Sequence, residues 1–403
     1  MNPSPHLPRR HFVQTLLATG ALAPWSTLSL AGSGQPNGNR FVFVILRGGM
    51  DGLSAVPAIG DPEFAAARGP LANYSAFASA PLKLDDTFAL HPNLTQTHAM
   101  FRSGELVVVH AVGLAYRERS HFDAQQLLES GGVKPYEITT GWLGRALAAS
   151  GERGIAINTA VPLVLRGPGE ADTWAPSSMP DPSPDLLMRL EQLYANDAAL
   201  AKALARAKGL RSDAAGSAGM AGAPMDGGSR ALVTGLARKA GEFLAQPRGP
   251  QAAVLEMGGW DTHANQNNPN GALANNLRNL DAGLAALRDS LGNTWSRTIV
   301  VVASEFGREV AINGTQGTDH GTGGAAFVLG GALKGARVLA DWPGLAKRDR
   351  FEGRDLRTTT DLRAVLKGVL GDHLRVSSAT LDRDVFPRSD AVKPLRVLEP
   401  IRQ

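Results

Sequence analysis

The sequence predicts an α/β protein, a layered fold built around a mostly parallel β-sheet. Unbroken apolar runs recur along the chain, and such runs are typical of strands buried on both faces of a parallel sheet. Stretches with the apolar spacing of helices lie between them, which is the alternation of an α/β fold. Polar clusters follow several of the runs directly, and in open parallel sheets ligands bind beyond the carboxyl ends of the strands.

The first predicted strand is Phe41 to Leu46, and the turn Arg47-Gly48-Gly49 closes it. Four later runs share its apolar character: Leu106 to Val112, Ala252 to Met257, Thr298 to Ala303 and Ala325 to Leu329. Three stretches predict helices: about 121–130, Asp185 to Lys208 and Asn275 to Leu291. Strands and helices therefore alternate over most of the chain.

The N-terminus has the pattern of a twin-arginine signal peptide over residues 1–31. Arg9-Arg10 stands ahead of Phe12, a mostly apolar stretch runs from Leu16 to Leu30, and small residues end it. This order of charged, apolar and small residues is typical of export signals, and the paired arginines favour the twin-arginine route. We expect a periplasmic or secreted protein that meets the twin-arginine translocase during export.

Removing the signal leaves about 370 residues, enough for one large domain, and we expect 32–403 to form a single α/β domain. A stretch rich in Gly, Ala and Met at about 212–229 predicts a flexible loop within it. No later segment is long and apolar enough to predict a membrane span in the mature form.

Composition excludes several classes of function. The formal net charge is only +4, part of which belongs to the signal, so no nucleic-acid surface is expected. The chain has no cysteine, which excludes thiol nucleophiles and iron–sulfur ligation. Any metal must therefore be held by oxygen and nitrogen ligands.

The candidate chemistry lies in the polar clusters after the predicted strands. These clusters are Arg47 to Gly52, Arg117 to Asp123, Gly258 to His263, and Ser304 to Arg308 with Gly317 to Gly321. Each has a structural alternative: Asp51 as a turn residue, Ser120 as a helix N-cap, His263 and His320 as loop histidines, and Glu305 as a partner of Arg308. Taken together, carboxylates and imidazoles without thiolates are typical of a zinc, manganese or similar divalent site.

Six motifs then give the chain a family resemblance. They are RGGMDGL at 47–53, LHPNL at 90–94, SHFDAQ at 120–125, GGWDTH at 258–263, SEFGR at 304–308 and GTDHGTGG at 317–324. In this order they resemble the motifs of the DUF1501 family, exported bacterial proteins similar to the alkaline phosphatase and sulfatase superfamily. The resemblance implies an alkaline-phosphatase-like three-layer sandwich.

The superfamily plan, carried over by resemblance, assigns roles to individual residues. Asp51 resembles the metal ligand after the first strand, and Ser120 resembles the nucleophile at a helix N-terminus. Asp261 and His263 resemble the central ligand pair. Glu305 then stands at the Asp of a later Asp-His pair with Phe306 at its His. Asp319-His320 supplies the last histidine, or alternatively is itself the Asp-His pair.

A phenylalanine at a ligand position puts a complete two-metal site in doubt, and His121 and Asp123 are candidates to make up the deficit. The resemblance thus implies one or two divalent ions, zinc foremost, with Mn, Ca or Mg as alternatives. Arg117 and Arg119 are expected to hold the oxygens of an anionic ester substrate. Because the chain has no Cys, a sulfatase of the formylglycine type from Cys is excluded.

Two hypotheses follow from these residues. The first is an exported metal-dependent hydrolase of phosphate or sulfate esters with Ser120 as its nucleophile. The second is a non-catalytic metal-binding exported protein that acts with a partner in the cell envelope. An intact set of ligands favours the first, and Phe306 at a ligand position favours the second.

Overall fold

A nine-stranded sheet forms the centre of the protein in the computed structural model, which describes residues 38–177, 182–214 and 229–398. Eight strands follow the spatial order β10-β4-β9-β8-β1-β7-β5-β6, and β11 pairs with β4. The strand bounds are β1 Arg40–Leu46, β4 Leu106–Gly113, β5 Arg153–Ala156, β6 Glu170–Thr173, β7 Ala252–Met257, β8 Thr298–Ser304, β9 Gly324–Leu329, β10 Arg337–Leu339 and β11 Thr360–Asp361. A small antiparallel pair, β2 Leu82–Lys83 and β3 Ala89–Leu90, lies outside this sheet.

The sheet is parallel except at β9, which runs antiparallel to both of its neighbours, β4 and β8. The prediction of a mostly parallel sheet is therefore confirmed. The sequence could not show the reversal at β9, because an apolar run has the same pattern in either direction.

Helices pack against the sheet and connect its strands. Their bounds are α1 Gly52–Ala55, α2 Phe64–Arg68, α3 Thr95–Arg102, α4 His121–Ser130, α5 Trp142–Ser150, α6 Pro184–Tyr194, α7 Ala198–Ala214, α8 Arg230–Ala245, α9 Ala272–Leu291, α10 Leu362–Asp372 and α11 Ser378–Thr380. The helix predicted over 185–208 is two helices, α6 and α7. The Asp197 side chain accepts from the amides of Ala199 and Leu200, which starts the second one.

The two faces of β1 show why the fold has three layers. Val42, Val44 and Leu46 face one apolar core, which α8 and α9 complete. Phe41, Phe43 and Ile45 face a second core on the opposite side, with α4, α5 and α10. Since successive side chains of a strand point to opposite faces, helices on both sides bury every residue of β1.

Two predictions fall largely on residues that are not described. The predicted signal peptide, residues 1–31, lies outside the described residues. Of the loop predicted at about 212–229, residues 212–214 belong to α7, Ser229 is the N-cap of α8, and 215–228 lie outside the described residues. The described residues belong to one unit of the chain, Ser33–Gln403. Within them, no helix combines the length and the apolar character needed to cross a bilayer.

Candidate metal centre

Two glycines after β1 bring that strand's turn against the loop that follows β7. Gly48 has φ of 121°, and a Cβ added there would lie 2.5 Å from the backbone nitrogen of Asp261. Only glycine allows this approach without strain. The amide of Gly48 also donates to Glu305 Oε1 at 2.8 Å, so this turn joins the ends of β1, β7 and β8.

Three side chains from separate parts of the chain converge at this end of the sheet. His121 begins α4, while Asp261 and His320 follow β7 and β8. The Nε2 atoms of His121 and His320 are 3.1 Å apart, and they lie 3.4 Å and 3.1 Å from Asp261 Oδ1. Among the described residues this trio forms a cluster able to hold a metal ion.

His263 lies at the edge of this trio. Its Nε2 is 2.9 Å from Asp261 Oδ1 and 3.1 Å from His320 Nε2. Asp261 and His263 are both a little under half exposed, at 44% and 42%, so this side of the cluster opens to solvent.

The other ring nitrogen of each histidine has an oxygen partner. His121 Nδ1 lies 2.8 Å from Glu305 Oε1, and His263 Nδ1 lies 3.1 Å from Asp319 Oδ1. His320 Nδ1 lies 3.1 Å from the backbone oxygen of Arg119. Because these oxygens only accept, each Nδ1 carries a proton, and in the neutral form of the ring the Nε2 lone pair then points into the cluster.

This arrangement fits a divalent ion. With both rings neutral, the Nε2 atoms of His121 and His320 present lone pairs to each other, which is unfavourable without a cation between them, whereas Asp261 Oδ1 also accepts from Arg308. Ligands of a tetrahedral zinc ion lie roughly 3.3 Å apart, which is close to the separations of 3.1 to 3.4 Å within the trio. A histidine ligand normally donates its second N–H to a carboxylate or a carbonyl, as all three histidines do here.

The charges around the cluster shift the pKa values of its members in opposite directions. The hydrogen bond to Glu305 raises the pKa of His121, whereas burial and the neighbouring charges of His121 and Arg308 lower the pKa of His320. Burial alone would raise the pKa of Glu305, but hydrogen bonds from His121 and Gln125 hold it below its usual value. The carboxylate that orients His121 is therefore ionised at neutral pH.

Arg308 lies beneath the cluster and is fully buried. Its guanidinium donates to Asp261 Oδ1 and to the backbone oxygens of Gly48, Gly49, Trp260 and Thr318. Burial alone would raise the pKa of Asp261, but the charge of Arg308 lowers it. One side chain thus fixes the turn after β1, the loop after β7 and the Asp261 carboxylate.

Asp51, predicted as a metal ligand, lies among hydrogen-bond donors. It is the N-cap of α1, and its Oδ2 accepts from Arg68 at 2.5 Å, from Gln266 at 2.5 Å and from Ser54 at 2.8 Å. Asp51 and Arg68 are both buried, so the guanidinium already neutralises the carboxylate. These partners are not members of the cluster, and the role of Asp51 as a metal ligand stays a prediction.

Asp123 also lies apart from the trio. His121 and Asp123 are two residues apart on α4 and so face different directions. Asp123 Oδ2 accepts a hydrogen bond from the Tyr116 hydroxyl at 2.9 Å. Asp123 is therefore an acceptor for Tyr116 outside the trio, and its assignment as a ligand stays a prediction.

Arg117 and Arg119 are occupied as well. Arg117 donates to the backbone oxygens of Leu114 and Tyr116. Arg119 forms ion pairs with Asp355 at 2.8 Å and Glu352 at 2.6 Å. The structure therefore does not present either guanidinium as a free anion-binding group at the cluster.

Ser120 is the N-cap residue of α4, yet its side chain makes no capping hydrogen bond. The hydroxyl interacts with the Tyr116 side chain instead. Ser120 stands between Arg119, whose carbonyl contacts His320, and His121 of the trio. Ser120 is therefore adjacent in sequence to a member of the cluster, and its hydroxyl does not cap the helix.

Phe306 packs its ring on two histidines of the cluster, with centroids 4.7 Å from His121 and 5.2 Å from His320. Its apolar ring occupies the space beside the trio. The position that the sequence singled out as a missing ligand is thus part of the apolar wall of the site.

Comparison with known families gives one match over most of the chain. The family described as "Protein of unknown function (DUF1501)" matches residues 39–385. The chain belongs to the DUF1501 family. No curated protein matches the sequence.

Several solved structures are similar to this DUF1501 protein at low sequence identity. The C-terminal periplasmic domain of EcEptC from Escherichia coli, in complex with Zn, is 12% identical over 75% of this chain and 74% of that chain, with a TM-score of 0.36. A putative sulfatase from Bacteroides thetaiotaomicron is 10% identical over 90% and 76%, with a TM-score of 0.41. A protein in the alkaline phosphatase superfamily from Vibrio parahaemolyticus is 11% identical over 85% and 74%, with a TM-score of 0.39.

Sequence reasoning about this DUF1501 chain missed three residues that organise the centre. They are Arg308, Gln125, which donates to Glu305 Oε1 at 3.0 Å, and Arg68. Gln125 and Arg308 lie inside the motifs SHFDAQ and SEFGR, so their position in the motifs was the available signal. Arg68 lies in no motif, and nothing local marks it as the partner of Asp51.

Proposed function

We propose that this DUF1501 protein is an exported metal-dependent hydrolase of phosphate or sulfate esters. The observation that carries the proposal is the convergence of His121 Nε2, His320 Nε2 and Asp261 Oδ1 within hydrogen-bonding distances of one another. These three residues would hold one divalent ion, with His263 at the edge as a fourth ligand. Two or three imidazoles with one carboxylate favour zinc over Mn, Ca or Mg.

The bound ion would supply Lewis acidity to the anionic ester oxygen. Around it, Glu305 and Asp319 hold the Nδ1 protons of His121 and His263, which keeps their Nε2 atoms free to bind. Arg308 fixes the Asp261 carboxylate. The open side at Asp261 and His263 is where substrate would enter.

Ser120 is our candidate for the nucleophile. Attack of its Oγ on phosphorus or sulfur forms a seryl ester and breaks the bond to the alcohol, which leaves with the serine proton. Water then hydrolyses the seryl ester and restores the hydroxyl. The backbone amides at the N-terminus of α4 favour the negative charge of the transferred group.

A single ion is favoured over two. In the superfamily plan the first-strand carboxylate is a metal ligand, but here Arg68 neutralises Asp51. The guanidinium supplies the positive charge that a second ion would bring. We therefore expect a stoichiometry of one.

The second candidate is a non-catalytic metal-binding protein that acts with a partner in the cell envelope. The observation that favours it is that both arginines already have partners. Arg117 donates to backbone oxygens, and Arg119 forms ion pairs with Asp355 and Glu352. A site without an anion-binding arginine would retain the ion without turning over an ester.

Export by the twin-arginine route forms part of the proposal. That route carries folded proteins, so the ion would be bound before the chain crosses the membrane. Replacing Arg9 and Arg10 with lysine should retain the protein in the cytoplasm, as measured by cell fractionation. Unchanged export of that variant would contradict the route.

One experiment separates the two functions. Residues 32–403 are purified, bound metals are measured, and phosphate monoesters, diesters and sulfate esters are screened with wild type, Ser120→Ala and Asp261→Ala. His98→Ala is the matched control, since His98 contacts the backbone of Lys83 away from the cluster.

We expect one bound ion, lost in Asp261→Ala and retained in His98→Ala, and ester turnover that Ser120→Ala abolishes. Bound metal without turnover of any ester would favour the non-catalytic candidate. A Ser120→Ala variant as active as wild type would remove the nucleophile assignment.

A further inference from the structure

An apolar cavity of about 160 Å³ lies between the sheet and the helix pair α8 and α9. Its walls come from β1 and β7 on one side and from the two helices on the other. Apolar side chains make up most of the lining, among them Val44, Val233, Leu236, Leu255, Leu284 and Leu287. An apolar cavity of roughly 150 Å³ is large enough to bind benzene.

Polar groups are confined to one end of the cavity, at Arg47, Asn158, Glu256 and Gly258. Arg47 is paired there with Glu256 at 2.8 Å and with Glu129 at 2.9 Å. Its charge is therefore already balanced by carboxylates. The cavity suits an uncharged apolar group rather than an anion.

Two observations place this polar end close to the metal centre. Gly258 is three residues before Asp261, so their Cα atoms are at most about 11 Å apart. Arg47 donates to Gln125, which donates to Glu305, the partner of His121. A molecule whose charged group lies at the metal centre therefore has an apolar space within reach.

We infer that this cavity takes the alkyl or aryl group of the ester whose charged end lies at the metal centre. The inference rests on the proposed function and adds the substrate class to it: a phosphate or sulfate ester of an apolar alcohol. Binding of the apolar group there holds the ester bond at the metal centre.

The cavity itself is tested with benzene, without any measurement of activity. Ala237 lies in the lining, and Ala237→Leu adds carbon to the interior of the cavity. Gly258 also lies in the lining, a Cβ there meets nothing within 4 Å and its φ is outside the left-handed region, so Gly258→Leu adds a side chain at the polar end without backbone strain. Gly209→Leu is the matched control, because Gly209 is equally open and lies on α7, outside the cavity.

We expect saturable benzene binding to the metal-loaded protein, measured by NMR titration, that is at least tenfold weaker in Ala237→Leu and in Gly258→Leu. Gly209→Leu should bind as wild type does. Failure of benzene to bind wild type, or equal binding by all three variants, would overturn the inference.

The link to the substrate is tested by comparing methyl phosphate with octyl phosphate. We expect kcat/KM to be at least tenfold higher for the octyl ester, and this preference to disappear in Ala237→Leu and to remain in Gly209→Leu. An octyl preference that survives Ala237→Leu would overturn the substrate assignment. If benzene binds but wild type hydrolyses neither ester, the hydrolase proposal and the substrate class fall and the apolar site remains.

Discussion

Replacement of Arg68 tests whether Asp51 is a structural residue or a metal ligand. Arg68→Met leaves the Asp51 carboxylate buried without its cation, since both side chains are almost inaccessible to solvent. Removing one partner of a buried ion pair costs about 3–5 kcal/mol. Asp51→Asn keeps an N-cap side chain on α1 but leaves the guanidinium unpaired, so we expect a loss of similar size.

Urea unfolding of both single variants and of the double variant measures this coupling. The double variant should lose less than the sum of the single losses, because neither charge is then left alone. Burial opposes ionisation of Asp51, but Arg68 outweighs it and lowers the pKa. The stabilisation is therefore present above about pH 4 and is lost as the pH falls through the folded-state pKa.

The control is Lys83→Met, whose ion pair with Asp86 is exposed and whose loss should leave the unfolding midpoint unchanged. Metal content gives the decisive readout: Asp51→Asn should retain the ion. An Asp51→Asn variant that unfolds like wild type and has lost its metal would refute this reasoning and restore Asp51 as a ligand.

Three further predictions concern acid stability, the support of the ligands and the glycine turn. Burial lowers the pKa values of His110 and His373 to about 4. Between about pH 6.5 and 4, therefore, only the unfolded state binds these protons. As the pH falls through this range, urea unfolding should show the free energy of unfolding decreasing by about 1.4 kcal/mol per pH unit for each histidine. Glu305→Gln should weaken metal affinity 10- to 100-fold in a chelator competition, because His121 loses its anionic partner. Gly48→Ala should lower the unfolding free energy by about 2 kcal/mol or more and release the metal, since its Cβ would press on the Asp261 backbone.

Each of these has a distinct contrary result. His110→Gln should remove about half of the slope assigned to the two histidines, and an unchanged slope would contradict the assignment. Glu309→Gln is the control for Glu305→Gln, because Glu309 pairs with Arg354 instead of a ligand, and equal losses of affinity in both would contradict the role of Glu305. Gly314→Ala, at an open position, is the control for Gly48→Ala.

The sequence predicted the central strands because they are buried on both faces. β1, β7 and β8 are almost wholly buried, and apolar residues fill most of their positions. The sequence did not predict the strands β5 and β6. Both are short and lie toward one edge of the sheet, and β6 includes the polar residues Glu170 and Asp172. An edge strand of four residues has too little pattern to distinguish it from a loop.

For the site, the sequence predicted those residues that follow strands and belong to motifs. The structure brings together His121, Asp261, His263, Glu305, Asp319 and His320, in line with that expectation. The environment of Asp51 could not be predicted, because Arg68 reaches it from another helix and only tertiary structure joins the two.

The most direct test of the metal centre is X-ray absorption spectroscopy of the purified zinc-loaded protein. We predict one zinc ion in a shell of nitrogen and oxygen, with the scattering of two or three imidazoles. His121→Ala should lower the imidazole count by one or lose the ion, whereas His98→Ala should change nothing. A shell of oxygen alone, or one that His121→Ala leaves unaltered, would contradict the centre formed by His121, Asp261 and His320.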